Sequence, residues 1–220
     1  MITLAIPAYE AVDLLDVAGP FEMFSWINGP DSPSPVTVEA RVLTGDGAPV
    51  LSGRLESANR IGLVPQGAFA DLPHPDLLWI PGGDPAMLET MMKDEAHPYL
   101  AYLREAASAA TWVCSVCEGA LLAGRAGLLA GHEATTHWAF LDCLTRFPGV
   151  TVAPGHPRYC LSGNRLTGGG ISSGLDEALK LIELVAGTPT AQYVQVQTQY
   201  FPDPPVQGEI PETPSCFVNW

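Results

Sequence analysis

Two short runs of apolar residues constrain the fold of this chain more than any other feature. Residues 77–80 read LLWI and lead into PGG, and residues 112–116 read WVCSV and lead into CEGA. Strands that read as continuous apolar runs are buried on both faces, as they are in a parallel sheet covered by helices. Helical patterns lie between these runs. The sequence therefore predicts an α/β sandwich around a mainly parallel sheet.

The other elements follow from periodicity and from helix-end signals. The clearest is a helix at 173–187, with Ser173 and Asp176 spaced as in a capping box and Gly187 at its end. Pro20 suits the first position of a helix because its missing N–H has no partner there. The further predicted elements are strands at 3–7 and 36–43, small strands and turns within 44–75, and helices at 20–27, 98–110 and 118–126.

Length and composition indicate one domain. The chain has 220 residues, of which 47% are hydrophobic, and this is enough for one well-packed core. We expect residues 1–200 to form a single domain and residues 201–220, which include five prolines, to form an extended tail. The formal net charge of -14 would repel a phosphate backbone or an anionic membrane, so neither nucleic acid nor a membrane is an expected partner.

The N-terminal sequence and the cysteines indicate the compartment. The first residues lack the basic segment and the long apolar core of a signal peptide, and no stretch approaches the ~18 apolar residues of a membrane span. The chain has an odd number of cysteines, namely Cys114, Cys117, Cys143, Cys160 and Cys216. An odd count without a secretion signal predicts reduced thiols in the cytoplasm.

The strongest local signal for chemistry is Cys117, which lies between the strand at 112–116 and the helix at 118–126. A sharp strand-to-helix turn lifts a nucleophile above the sheet. It also places the thiol at a helix N-terminus, where the dipole and free N–H groups stabilise a thiolate. Gly119 would let the helix pack close to the strand. The alternative is that Cys117 is a small buried apolar residue without a reaction.

The spacing of Cys114 and Cys117 also matches a redox motif, which normally opens a helix. Because Cys114 falls inside the predicted strand, its side chain should point into the core, and this disfavours thiol–disulfide exchange. No other cysteine pair has zinc-finger spacing, so no structural metal site is expected.

Three further features could contribute to a site. Pro-Gly-Gly at 81–83 ends a buried strand, at the edge where open α/β sheets bind ligands, and forms either an oxyanion hole or an ordinary turn. Asp16 is flanked by apolar residues and is either a solvated helix cap or a buried acid with a functional role. His137 is either a general base or a hydrogen-bonded structural histidine.

Together these segments resemble the PfpI-type branch of the class I glutamine amidotransferase-like superfamily. Within it the chain is most similar to the isocyanide (isonitrile) hydratases. The resemblance covers nearly the whole chain, and its motifs agree in order and spacing. They are LDVAGPFEMF at 15–24, IPGG at 80–83, SVCEGALLAGRAGLLAG at 115–131, ATTHWAF at 134–140, LTGGGISSGLDEAL at 166–179 and TAQYVQVQTQY at 190–200.

The resemblance implies a flavodoxin-like three-layer sandwich, a homodimer and a small-molecule substrate. It implies that Cys117 is the nucleophile, that Asp16 lies beside the thiol and exchanges protons with the substrate, and that Gly83 and Glu118 offer backbone N–H groups near the reacting centre. The residues expected close to the substrate are Gly170, Ile171, Ser172 and His137.

The implied reaction is hydration of an isocyanide, or a similar small carbon electrophile, to an N-substituted formamide through a thioimidate. Neither a metal nor an organic cofactor is expected, because the nucleophile and an acid suffice. The residue after the cysteine departs from the family pattern. Peptidase-like members of the superfamily have a histidine there and the hydratases a small hydroxyl residue, whereas this chain has Glu118.

The missing Cys–His pair weakens a peptidase function, and two other functions stay open. One is a free-standing ligand-sensing domain like those of AraC-type transcription regulators. The other is a glyoxalase or deglycase that acts on reactive carbonyls.

Overall fold

Eleven strands in the computed structural model, which describes residues 1–220, form one large sheet and two small ones. In chain order they are β1 (Ile2–Pro7), β2 (Val38–Thr44), β3 (Val50–Ser52), β4 (Ile61–Leu63), β5 (Gly67–Ala68), β6 (Leu77–Ile80), β7 (Trp112–Ser115), β8 (Glu133–Ala134), β9 (Thr151–Val152), β10 (Tyr159–Ser162) and β11 (Arg165–Gly168). The large sheet has the order β10-β11-β7-β6-β1-β2-β5, and only β10 pairs in the antiparallel sense. Parallel neighbours need crossover connections, which the helices supply.

Seven α-helices cover the large sheet. They are α1 (Leu14–Ser25), α2 (Pro85–Lys93), α3 (Pro98–Ala109), α4 (Gly119–Arg125), α5 (Leu141–Leu144), α6 (Ser173–Ala186) and α7 (Thr188–Gln197). Helices α1 and α7 both contact α6, while α2, α3 and α4 contact one another as a second group. The result is the predicted flavodoxin-like three-layer sandwich. None of the helices combines the length and the apolar character that crossing a bilayer requires.

The central elements lie where the sequence predicts them. β6 occupies residues 77–80 and has no exposed side chain, while β7 and α3 each end one residue earlier than predicted. The sequence did not predict three of the helices, of which α5 has only four residues. α7 has no apolar stripe, since Thr190 and Val194 are its buried residues. α2 does have a start signal in the sequence, the N-cap residue Asp84. Its Oδ1 accepts a hydrogen bond from Ala86 N–H at 2.9 Å.

The first helix differs from the prediction in a way that shapes the site. α1 begins at Leu14, so Pro20 lies inside the helix and not at its first position. A proline has no N–H to donate to the carbonyl four residues earlier, and here that carbonyl belongs to Asp16. The indole Nε1–H of Trp79 donates to the Asp16 carbonyl instead, at 3.0 Å. The helix tolerates Pro20 because β6 supplies the missing donor.

The predicted capping box of α6 is also wrong. The N-cap residue is Ser172, and no side chain caps the helix. Asp176 instead accepts a hydrogen bond from Arg158 Nε at 2.6 Å, so its charge is used in an ion pair with the loop before β10. Gly187 ends the helix as predicted, with a φ of 87° that favours glycine.

Residues 201–220 form neither helix nor strand, and a disulfide attaches them to the rest of the chain. Cys216 is bonded to Cys143 of α5 across a sequence separation of 73 residues. The prediction that all the cysteines are reduced is therefore wrong for these two, and Cys114, Cys117 and Cys160 are free thiols. Counting cysteines could not find this pair, because only the fold brings the two residues together.

Candidate active site

Cys117 occupies the turn between β7 and α4. Its φ is 54°, a left-handed conformation that non-glycine residues adopt rarely and that costs on the order of 1–3 kcal/mol. Two hydrogen bonds hold the turn. The Cys117 N–H donates to the Gly169 carbonyl at 2.9 Å, and Thr136 Oγ1 donates to the Cys117 carbonyl at 2.7 Å. The predicted sharp strand-to-helix turn is therefore present at Cys117, with the geometry of a nucleophile elbow.

Two glycines allow this turn to pack tightly against β6 and the loop after it. A side chain on Gly119 would overlap the Ile80 carbonyl, so α4 can approach the strand only with glycine there, as the sequence indicated. A Cβ on Gly82 would lie 2.9 Å from Cys117 Cβ and 2.6 Å from Glu118 Oε2. Both distances are shorter than real contacts, so position 82 also requires glycine.

Asp16 is a buried acid and not a helix cap, since Asp13 is the N-cap residue of α1. Its Oδ2 accepts a hydrogen bond from Gly82 N–H at 2.9 Å, while its Oδ1 has no partner. Burial raises the pKa of Asp16 well above its ordinary value, Asp13 and Glu118 raise it further, and the Gly82 N–H opposes them. A buried carboxyl without a paired cation favours its neutral form. This raised pKa keeps the Asp16 carboxyl protonated to a higher pH than an exposed aspartate.

The Glu118 carboxyl faces into the site. It lies beside the Cys117 thiol and near the backbone N–H groups of Gly83 and of Glu118 itself. The residue is only 7% exposed, and its Oε2 has no hydrogen-bond partner. Burial raises the pKa of Glu118 to about 7, although the neighbouring thiol and the N–H groups oppose this rise. A carboxyl that titrates near neutral pH is suited to proton transfer.

The prediction that the helix N-terminus stabilises a Cys117 thiolate is wrong. Burial raises the pKa of the thiol well above its ordinary value, Glu118 and Asp16 raise it further, and the Ile171 N–H opposes them. α4 has only seven residues, so its dipole competes poorly with full burial and two carboxyls. The Cys117 sulfur therefore carries a proton at neutral pH.

This raised pKa predicts how Cys117 reacts with iodoacetamide. Because the thiolate is the reactive form, its labelling should accelerate roughly tenfold per pH unit between about pH 7 and pH 9. Mass spectrometry of the Cys117 peptide after timed exposure gives the rate. Cys114, which is buried in β7, serves as an internal control that stays unlabelled while the protein is folded. A Cys117 rate that levels off below pH 7 would contradict the protonated thiol.

His137 and the start of α6 form the opposite side of the site. His137 Nδ1 accepts a hydrogen bond from Ala139 N–H at 3.2 Å and so caps a short 3-10 helix at 138–140. Burial lowers the pKa of His137, which keeps the ring neutral. A side chain on Gly170 would overlap that ring. The hydrogen bond to Nδ1 supports the structural histidine, one of the two alternatives that the sequence left open, and the His137 ring also lines the cavities beside the site.

Two cavities meet at His137 and Ile171. The inner cavity, of about 300 Å³, is also lined by Gly83 and Glu118. The outer cavity, of about 390 Å³, extends along Gly170 and Ser172. These volumes suit a small molecule. Cys117 itself has no exposed surface, so a molecule in the inner cavity reaches the sulfur past the Glu118 carboxyl.

The sequence did not single out Asp13, which lines the inner cavity. Burial raises the pKa of Asp13, and Arg54 opposes this. Carboxylate oxygens of Asp13 and Glu118 and the Cys117 sulfur all lie within 4.8 Å of one another. Among the histidine, cysteine and acidic side chains of the chain, this is the one group of three whose atoms are close enough to hold a cation. The position of Asp13, one helical turn before Asp16, was a signal for a shared acidic face.

Behind the site, Cys114 is fully buried in β7 and forms no bond with Cys117, so the redox motif is not supported. Glu177 of α6 is also fully buried, and neither of its carboxyl oxygens has a hydrogen-bond partner. Burial raises the pKa of Glu177 well above its ordinary value, and Asp16 adds to the effect. The sequence did not single out Glu177, whose burial favours the neutral form of its carboxyl.

Two known proteins are related to this chain over most of its length. The isonitrile hydratase of Pseudomonas putida is 38% identical over 212 residues, which cover 96% of this chain and 84% of that protein. The HTH-type transcriptional regulator CdhR of Pseudomonas aeruginosa is 30% identical over 162 residues, which cover 72% of this chain and 44% of that protein.

The fold also has a close counterpart among solved structures. A THiJ/PfpI family protein from Pseudomonas syringae superposes with a TM-score of 0.79 at 29% identity, covering 93% of this chain and 77% of that one. Residues 53–184 match the family model for DJ-1/PfpI proteins, and this is more than half of the chain. With the cysteine elbow, the sheet order and these similarities in agreement, the chain belongs to the DJ-1/PfpI family.

Proposed function

We propose that the protein hydrates an isocyanide to an N-substituted formamide, with Cys117 as the nucleophile. The observation that carries this proposal is a protonated thiol buried beside two carboxyls, Asp16 and Glu118, whose pKa values are raised. An isocyanide must receive a nucleophile and a proton at the same carbon, and this arrangement offers both. The similarity to an isonitrile hydratase over 96% of the chain supports the same reaction.

In the first step the Cys117 sulfur attacks the terminal carbon of the isocyanide. The thiol proton passes to the Glu118 carboxylate as the carbon–sulfur bond forms, and protonated Asp16 gives its proton to the same carbon. The product is a thioimidate attached to Cys117, with Asp16 now ionised and Glu118 protonated. No proton is taken from bulk water in this step.

In the second step a water molecule attacks the thioimidate carbon. Asp16 takes a proton from that water, while Glu118 gives its proton to the imidate nitrogen. The resulting tetrahedral intermediate then loses its hydroxyl proton through Glu118 to the departing sulfur. This step breaks the carbon–sulfur bond, releases the formamide and restores the Cys117 thiol. The sum is one isocyanide and one water converted to one formamide.

The position of Glu118 favours an isocyanide over a carbonyl substrate. The backbone N–H groups of Gly83 and Glu118, the pair expected to stabilise an oxyanion, lie next to the Glu118 carboxyl. A carbonyl substrate would place a developing negative oxygen at those groups, where the carboxylate would repel it. Thiol addition to an isocyanide creates no oxyanion, so this arrangement supports a glyoxalase or deglycase less well.

The test is a turnover assay with purified protein on an alkyl isocyanide, an aryl isocyanide, methylglyoxal and a chromogenic peptide. We expect the formamide to appear by NMR with both isocyanides and no turnover of the other two compounds. Consumption of methylglyoxal without hydration of either isocyanide would reject the proposal in favour of carbonyl chemistry.

We also expect the protein to be a homodimer, because an apolar fraction of 47% with only 15% charged residues suits a chain that buries part of its surface against a second copy. Light scattering coupled to size exclusion should give twice the 23.3 kDa of one chain. A mass of a single chain at micromolar concentration would contradict this expectation.

A ligand-sensing role is the second candidate, and the similarity to CdhR favours it. A sensor would bind an isocyanide without consuming it. The turnover assay therefore separates the two functions, provided that binding is measured on the same compound.

A further inference from the structure

The last residues of the chain are fastened beside the site, and we name residues 210–220 the C-terminal strap. Cys216 is bonded to Cys143, and the backbone around it is also held. The Cys216 N–H donates to Asp142 Oδ2 at 2.8 Å, and Arg146 Nη2 donates to the Cys216 carbonyl at 2.9 Å. A covalent bond and two hydrogen bonds thus fix one residue of the strap.

The strap is anchored on both sides of Cys216 as well. Thr213 Oγ1 donates to the Trp138 carbonyl at 3.1 Å. On the other side, Val218 is fully buried, and Trp220 stacks on Phe147 with 5.1 Å between ring centroids. An extended segment with this many contacts keeps one path across the surface.

Phe217 lies between the two fixed positions, Cys216 and Val218. Its ring packs against Phe140 with 5.0 Å between centroids, and it lines the inner cavity together with Glu118 and Ile171. The strap also supplies Ile210 to the outer cavity. The walls of both cavities are therefore built in part from the strap and not only from the sheet and helices.

We propose that Phe217 is a specificity-determining wall of the substrate cavity and that the Cys143–Cys216 disulfide holds it in place. This inference rests on the proposed isocyanide hydration and names its substrate class. Phe140 and Phe217 give the cavity an aromatic wall, so it selects isocyanides with an uncharged aryl side group over small alkyl isocyanides.

The charges at the inner cavity support that class. Its ionisable side chains are Asp13, Asp84, Glu118, Arg54 and His137. Carboxyls outnumber cations there, so an anionic side group on the substrate would be repelled. Aromatic rings prefer edge-to-face or offset contacts with another ring, and the pair Phe140 and Phe217 offers such a surface.

The test compares Phe217→Ala with Phe201→Ala, the same substitution at an exposed residue that lines neither cavity. With Phe217→Ala we expect kcat/KM for phenyl isocyanide to fall at least tenfold, mainly through KM, because an apolar contact is lost. The value for methyl isocyanide should change less than about threefold, because it does not reach the wall. Phe201→Ala should leave both values unchanged.

A second measurement does not depend on hydration. We expect both iodoacetamide and N-benzyl iodoacetamide to alkylate Cys117, and the rate of the benzyl reagent relative to iodoacetamide should fall in Phe217→Ala but not in Phe201→Ala. Two ratios are compared: kcat/KM for phenyl over methyl isocyanide, and the alkylation rate of the benzyl reagent over iodoacetamide. If isocyanides are hydrated and neither ratio changes, the proposed role of Phe217 is rejected. If isocyanides are not hydrated but the alkylation ratio falls, the role of Phe217 in the cavity is supported and the proposed hydration is rejected.

The role of the disulfide is tested with the double variant Cys143→Ser/Cys216→Ser, which should shift both ratios in the same direction as Phe217→Ala. Should that variant not fold, dithiothreitol can reduce the wild-type protein. Each cysteine then gains one hydrogen, the reagent is oxidised to its cyclic disulfide, and excess reagent is removed before the assays. Mass spectrometry verifies that the disulfide is broken. If both ratios then stay at their wild-type values, the disulfide does not hold Phe217 in place.

Discussion

We expect Cys117→Ala to abolish turnover, with less than about 1% of the wild-type kcat remaining, because the proposed thioimidate forms on the Cys117 sulfur. The folded state should be affected little. The substitution removes one sulfur atom, and alanine keeps the same Cβ in the strained turn at φ 54°. The measurements are kcat on the isocyanide of the assay above, circular dichroism and the melting temperature.

Cys114→Ala is the matched control, since it makes the same change three residues earlier in β7. It should keep turnover close to wild type while it lowers the free energy of unfolding by about 1 kcal/mol, as expected for a small deletion in a packed core. If Cys117→Ala retained more than a few per cent of wild-type kcat, the covalent mechanism would be wrong. Equal losses in both variants would point to damage of the fold instead.

Asp16→Asn should lower kcat at least a hundredfold with little change in melting temperature. General acid–base assistance is typically worth about 10²–10⁴-fold, and an amide cannot deliver a proton to the substrate carbon. Stability should persist because burial favours the neutral form of Asp16, and asparagine resembles that form. The amide oxygen can still accept the hydrogen bond from Gly82 N–H that Asp16 accepts now.

The pH dependence of this variant follows from the sign of the pKa shift. The pKa of Asp16 is raised in the folded state, so the folded state binds more protons than the unfolded state once the pH exceeds about 4. Wild-type stability is therefore lost as the pH rises toward the folded pKa, and Asp16→Asn removes that loss. We expect the variant to be at least as stable as wild type at pH 8.

Asp13→Asn, the same substitution one turn earlier in the sequence, is the matched control and should lower kcat less than tenfold. Asp13 lines the cavity but has no assigned proton to transfer. Wild-type kcat in Asp16→Asn would reject its role and leave Glu118 as the sole proton donor. A wild-type protein that binds the isocyanide tightly and never consumes it would instead establish a sensor.

Local patterns in the sequence predicted the parts of the site that depend on one strand or one turn. Cys117 was identified from an apolar strand that runs into a glycine-containing helix start, and Gly119 from the close packing this requires. The protonation of Cys117 was predicted in the wrong direction. That error arose because the helix dipole is a local property, whereas the full burial of the sulfur and the approach of the Asp16 carboxyl exist only in the folded chain. The Glu118 carboxyl adds to the effect because its side chain points toward the sulfur.

Two contacts between distant segments could be predicted neither from local patterns nor from the family resemblance. The role of Pro20 depends on the indole of Trp79, which β6 brings to the Asp16 carbonyl. The wall at Phe217 depends on a disulfide that spans 73 residues. Neither pair has a spacing or a pattern that marks it in the sequence, because the physical reason for each lies in how the layers of the sandwich are stacked.

The unpartnered carboxyl of Glu177 has a consequence for the charge of the whole molecule. The formal charge of -14 counts every acid as ionised, yet burial raises the pKa of both Glu177 and Asp16 well above their ordinary values. Because these carboxyls bind protons more tightly in the folded chain than in the unfolded chain, folding takes up protons from the solvent at pH values between the unfolded and folded pKa. The folded protein consequently carries less negative charge than its composition indicates. A rise in pH opposes folding, because fewer protons are then available to these two carboxyls.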